Sequence, residues 1–67
     1  MENEIRERII GALEDNPQGL TMSDISNMTS LSRLTVSKYI YGLIAENKVE
    51  LRNVGSAKLC CLKVVYA

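Results

Sequence analysis

From Leu31 to Lys63 the chain reads LSRLTVSKYIYGLIAENKVELRNVGSAKLCCLK, and three signals follow one another there with almost no linker. Ser32 can cap a helix beginning at Arg33, and Val36, Ile40, Leu43 and Ile44 then repeat at i, i+4, i+7, i+8, the spacing of one buried helical stripe. Asn47-Lys48 ends that helix. Val49-Glu50-Leu51-Arg52 alternates apolar with charged, as a half-buried strand does, and Val54-Gly55-Ser56-Ala57 turns the chain back on itself. A helix joined directly to a β-hairpin is the resulting expectation. The returning strand, from Lys58 to about Val65, is too continuously apolar to phase by pattern, and it leaves room for a hidden partner surface.

Two helices precede this unit, the second of them short. Ile5, Ile9, Ile10 and Leu13 form an apolar stripe between charged neighbours, and Asn16-Pro17-Gln18-Gly19 stops the helix, because proline disfavours helical geometry in the residue before it. Thr21 can cap a second helix through its hydroxyl, with Asp24 favourably near the positive helix end and Met22, Ile25 and Met28 as its inward residues. Thr29-Ser30-Leu31 breaks it. At about 100° per residue, the side of the third helix opposite its stripe carries Leu34, Ser37, Lys38, Tyr41 and Ala45, with Thr35 and Gly42 on the flank. Gly42 costs about 1 kcal/mol relative to alanine in a helix interior, which points to close approach by another backbone or a neighbouring helix.

Sixty-seven residues allow one domain, spanning 1–67, close to the lower limit for a core that folds unaided. The balance of 46% hydrophobic and 24% charged residues is that of a soluble globular chain. No apolar run approaches the ~20 residues of a membrane span, and the charged start MENEIRERII is unlike a secretory signal, so the cytoplasm is the expected location. Cys60 and Cys61 are strand neighbours pointing to opposite faces, and reduced thiols are the default. With no histidine, the chain lacks the ligands for a zinc site of its own; metal sensing by the vicinal thiols of a dimer is the alternative to two buried strand residues. No nucleophile has an evident base beside it and no glycine loop cradles phosphate, so neither an enzyme, a cofactor nor a small-molecule pocket is expected.

Net charge is zero, but its distribution is uneven. Residues 1–30 hold six acids and two bases, whereas residues 31–67 hold six bases and two acids. The helix–hairpin half is therefore basic, as a polyanion-facing surface would be, unless the imbalance is sampling in a short chain.

Gly19-Leu20-Thr21, Leu31-Ser32-Arg33, Thr35-Val36-Ser37-Lys38-Tyr39-Ile40 and Val54-Gly55 followed by Lys58-Leu59 resemble the pattern of prokaryotic winged helix-turn-helix domains, most of all those of archaeal transcription regulators. The resemblance covers nearly the whole chain. It implies an α+β fold of three helices and a hairpin wing, with the third helix in the major groove of double-stranded DNA and the wing along the backbone or minor groove. Carried onto this sequence, it puts Ser32, Arg33, Thr35, Ser37 and Lys38 on the recognition surface, Tyr39, Tyr41 and Thr21 near phosphates, and Arg52, Ser56 and Lys58 on the wing. The chain departs from the family in three places. Ser30 stands where the inter-helix turn usually has glycine, Leu34 projects outward where a small or polar residue is commoner, and the wing tip has no cation of its own.

Arg33 can pair bidentately with guanine and Lys38 can reach a base or a phosphate, or both are solvated surface charges. Leu34 can pack on a thymine methyl or belong to a protein interface. Sequence-specific DNA binding in transcription regulation is the leading expectation, with a homodimer suggested by the short core and apolar hairpin exit. A winged-helix protein-interaction module without DNA binding is its rival, and RNA binding a smaller third.

Overall fold

A computed structural model describes residues 2–63. Helices α1 (Glu2–Glu14), α2 (Met22–Thr29) and α3 (Arg33–Ala45) are followed by strands β1 (Val49–Val54) and β2 (Ala57–Leu62). No helix among the described residues is long and apolar enough to cross a membrane.

The first helix ends where its sequence says it should. Ahead of Pro17, the Asn16 side-chain amide donates to the Ala12 carbonyl at 2.9 Å, satisfying one of the orphan acceptors of the last turn. Gly19 then adopts φ +105°, which an L side chain rarely does, and delivers Leu20 to the sheet. Leu20 exchanges backbone hydrogen bonds with Cys60 in both directions, an antiparallel bridge that lays a third, one-residue strand along the free edge of β2. A single residue has no periodicity, so nothing in the pattern announces this bridge.

Helix α2 opens on a reciprocal capping box: the Thr21 hydroxyl accepts from Asp24 N–H and the Asp24 carboxylate accepts from Thr21 N–H. Its inward stripe differs from the expected one. Met28 is 53% exposed, and Thr29 is buried in its place with its hydroxyl donating to the Ile25 carbonyl at 2.6 Å. At about 100° per residue Thr29 falls between Met22 and Ile25, whereas Met28 falls about 60° outside that arc, so helical phase outweighs side-chain apolarity. Ser30 closes the helix at φ 60°, ψ 26°, taking up directly the left-handed conformation that glycine adopts most readily.

Ser32 caps α3, accepting from Thr35 N–H, and Val36, Ile40 and Leu43 are buried with Ile44 packed against them. Asn47 supplies the left-handed residue beyond the helix, and the N–H groups of Asn47 and Lys48 return to the Ile44 and Leu43 carbonyls as a Schellman cap. The core joins these residues to Ile9 and Leu13 of α1, Ile25 of α2 and Val49 and Cys60 of the hairpin.

Register fixes the two faces of the hairpin. Val49, Leu51 and Asn53 lie opposite Leu62, Cys60 and Lys58 on one face; Glu50, Arg52 and Val54 lie opposite Cys61, Leu59 and Ala57 on the other. Helices cover the first at Val49 and Cys60. The second is covered at Cys61 by the turn at Gly19, where even a Cβ would come within 2.7 Å of the thiol sulfur. Within the apolar run of β2 the chain itself therefore buries Cys60 from one side and Cys61 from the other, while Leu59 and Leu62 stay half-buried. Val64 and Val65, read as the end of this strand, lie outside the described residues.

Candidate nucleic-acid interface

Helix α3 presents a ridge to solvent. Leu34 stands at its crest, 83% exposed, followed by Lys38, Tyr41 at 59%, Gly42 and Ala45. There is no carboxylate on this ridge. Ser37, expected outward, is half-buried instead, and its hydroxyl donates to the Met22 sulfur at 3.1 Å. Its angular position is on the edge of the face, and the packing of α2 claims that edge. Thr35 is also half-buried, with its hydroxyl accepting from Ser32. Both serve helix packing or capping in the free chain.

The ridge separates two recesses. On one flank, Thr21, Ser23, Arg33, Tyr41 and Lys58 surround an open recess of about 240 Å³, floored by Met22, Leu51 and Cys60. Three distant segments meet there because the Leu20–Cys60 bridge ties the start of α2 to β2, and the hairpin register turns Lys58 to the same face as Leu51 and Cys60. On the other flank, Arg6, Lys38, Tyr39, Gly42, Leu43 and Glu46 line a recess of about 200 Å³. Neither recess has a signature in the sequence, and Ser23 and Arg6 join the set only through the tertiary fold.

Arg52 and Lys58, expected together on the wing, are on opposite faces of it. Arg52 is 3.5 Å from the Glu50 carboxylate, its strand neighbour two residues away, whereas Lys58 faces α3. Ser56 is exposed in the two-residue turn beside Gly55, whose φ is +60°. Gly42 also differs from expectation: a Cβ built there meets nothing within 4 Å among the described residues outside its own helix, so none of them comes close to it.

Ion pairing sorts the cations. Arg6 makes a bidentate pair with Glu46, whose Oε1 Lys48 also approaches at 3.6 Å; Arg8 pairs with Glu4 and Arg52 with Glu50. Among the described residues, the cations in no such pair are Arg33, Lys38, Lys58 and Lys63, and the first three border the ridge of α3. Glu4, Glu46 and Glu50 therefore hold Arg6, Arg8, Lys48 and Arg52, and unmatched positive charge is left around one helix face.

Burial, and then the neighbouring Cys61, push the Cys60 thiol up to about 11, so it stays protonated at neutral pH and behaves as a small apolar core residue. Among the described residues no cluster of three or more histidine, cysteine or carboxylate side chains is arranged to hold a metal ion.

Three helices, the second and third joined by a tight turn, with a hairpin packed beside the third, define the class as winged helix-turn-helix. A family model described as winged helix-turn-helix DNA-binding matches residues 2–50, and the chain belongs to that family. The match takes in all three helices and the first residues of β1; the rest of the wing is seen in the structure. No curated protein and no solved structure matches the chain.

Proposed function

We propose that this chain reads double-stranded DNA by sequence and acts in transcription regulation, with α3 in the major groove and the wing on the backbone or minor groove. The observation that carries this reading is the segregation of charge. Arg33, Lys38 and Lys58, in no ion pair among the described residues, border an acid-free ridge of α3, while Arg6, Arg8, Lys48 and Arg52 are each paired with a carboxylate. Such a surface releases counterions when it meets phosphates, and the ridge side chains between the cations are left to meet base edges. In this reading Arg33 contacts a base, and Thr21, Lys38, Tyr39, Tyr41 and Lys58 contact phosphate or sugar. Ser32, Leu34 and Thr35 sit at the entering end of α3, and Arg52 and Ser56 touch the backbone only if the wing lies with its outer face or tip on the duplex.

Titration of random-sequence duplex at two salt concentrations, followed by selection of bound sequences, tests it. Steep salt dependence with an enriched motif is expected. Arg33→Ala should then cost about 1–3 kcal/mol and relax selectivity at one position, whereas Lys58→Ala weakens all sequences alike and lowers the salt slope by about 1.

The exposure of Leu34 and Tyr41 on one ridge favours a second reading, a protein-interaction module. Salt-insensitive binding of a protein partner, abolished by Leu34→Asp in a folded chain, would establish it in place of the first.

A further inference from the structure

A glycine inside a helix lowers the folding equilibrium roughly fivefold relative to alanine, a cost that is offset where something needs the missing side chain. At Gly42 nothing among the described residues does. Its φ is outside the left-handed region, a Cβ there would meet nothing within 4 Å, and the residue is exposed. It forms one wall of the recess between α1 and α3, where Lys38 and the Tyr39 ring are its neighbours. Around that recess three cations, Arg6, Lys38 and Lys48, stand against the single carboxylate of Glu46. The surface is positive, concave and bare of side chain at one point.

We propose that this recess seats the sugar-phosphate backbone of the DNA strand on the α1 side of α3, drawn close against the helix backbone at Gly42, with Lys38 and Tyr39 meeting its phosphate oxygens. The duplex is then gripped on both flanks of α3, the other flank being the recess of Arg33 and Lys58. The proposal rests on the DNA-reading function above and adds Gly42 and the α1-facing flank to it. A methyl group at Gly42 would stand between the helix and the strand, in a contact whose strength depends on approach distance.

Gly11 provides the control. It too is a helical glycine with open space at its Cβ, but at about 100° per residue it shares a face of α1 with Glu4, Glu7 and Glu14, which repels phosphate. Gly11→Ala and Gly42→Ala should each raise the thermal midpoint by roughly 4–8 °C. Anisotropy titration with a duplex selected by the unaltered protein should show Gly11→Ala within twofold of it. Gly42→Ala should bind at least tenfold more weakly, with a salt slope shallower by about 0.9, the value for one phosphate contact. Full affinity in a stabilised Gly42→Ala would overturn the proposal, as would a lowered midpoint, which would mean that the space is not open. Loss of self-association by Gly42→Ala, with DNA affinity per protomer unchanged, would reassign the face to a second copy of the chain. Failure of the unaltered protein to bind any duplex at low salt is a different result, since it removes the DNA-reading function itself and this seat with it.

Discussion

Single residues carry the most exacting geometry in this domain. Gly19 is the clearest case, because two demands coincide there: φ of +105°, and contact so close that a Cβ would stand 2.7 Å from the Cys61 sulfur and 3.0 Å from the Leu59 Cβ. Those neighbours belong to β2 and cannot retreat without disturbing the core. Gly19→Ala should therefore destabilise by about 3 kcal/mol, combining a disfavoured dihedral with an overpacked contact. In a chain of this length, whose whole stability is of order 3–10 kcal/mol, that loss will show as a large drop in the urea midpoint. A midpoint within experimental error of the parent would mean that the turn and β2 are less tightly coupled than their geometry states. Ser30, by contrast, reaches the left-handed region at φ 60° with a side chain in place.

At the scale of elements, the junction of α1 with the end of α3 is tied by charge. The Arg6 guanidinium hydrogen-bonds the Glu46 carboxylate and, with its charge and that of Lys48, holds Glu46 below the usual carboxylate range against the opposing effect of burial. A depressed folded-state pKa contributes stability at pH above the unfolded value, about 4.3, and that contribution is lost as pH falls through the folded value. The unaltered protein should thus lose stability on acidification below about pH 4.3 more steeply than Glu46→Gln, which has no carboxylate to protonate. Parallel pH profiles of the urea midpoint for the two proteins would show that the pair does not couple to folding. The pair is part-exposed, so the effect is one of slope rather than of survival. The same junction shapes the recess beside Gly42, which links the stability of the α1–α3 contact to the proposed backbone seat.

For the whole molecule, the relevant fact is how little DNA one copy can cover. The described residues span 31 × 29 × 21 Å and present one recognition helix. One helix reads a single half-site, and a pair of copies related by two-fold symmetry reads two, about 34 Å apart on one face of the duplex. We expect a homodimer on DNA and a selected motif with dyad symmetry. Sedimentation of the chain with a duplex of one and of two half-sites measures this. A strictly monomeric species on both, with an asymmetric motif, would remove the dimer and leave a reader that acts singly or beside another domain.

Much of this architecture is written locally. The Pro17 stop, the caps at Thr21 and Ser32, the α3 stripe and the Gly55 turn depend on residues within a few positions of each other, so periodicity and capping chemistry suffice to give three helices and a hairpin in order. The basic helix–hairpin half and the outward Leu34, Lys38 and Tyr41 were legible for the same reason. What sequence could not supply depends on contacts between distant segments. The Leu20–Cys60 bridge sets the start of α2 against the wing, the turn at Gly19 buries Cys61, and α2 takes Ser37 out of the exposed face of α3 while its own Met28 is left in solvent. Ion pairing across 40 positions, Arg6 with Glu46, helps decide which cations remain unmatched. Local rules choose the elements because their energies arise within one or two turns of chain; the composition of the interface is decided by packing and long-range charge neutralisation, which exist only once those elements have met.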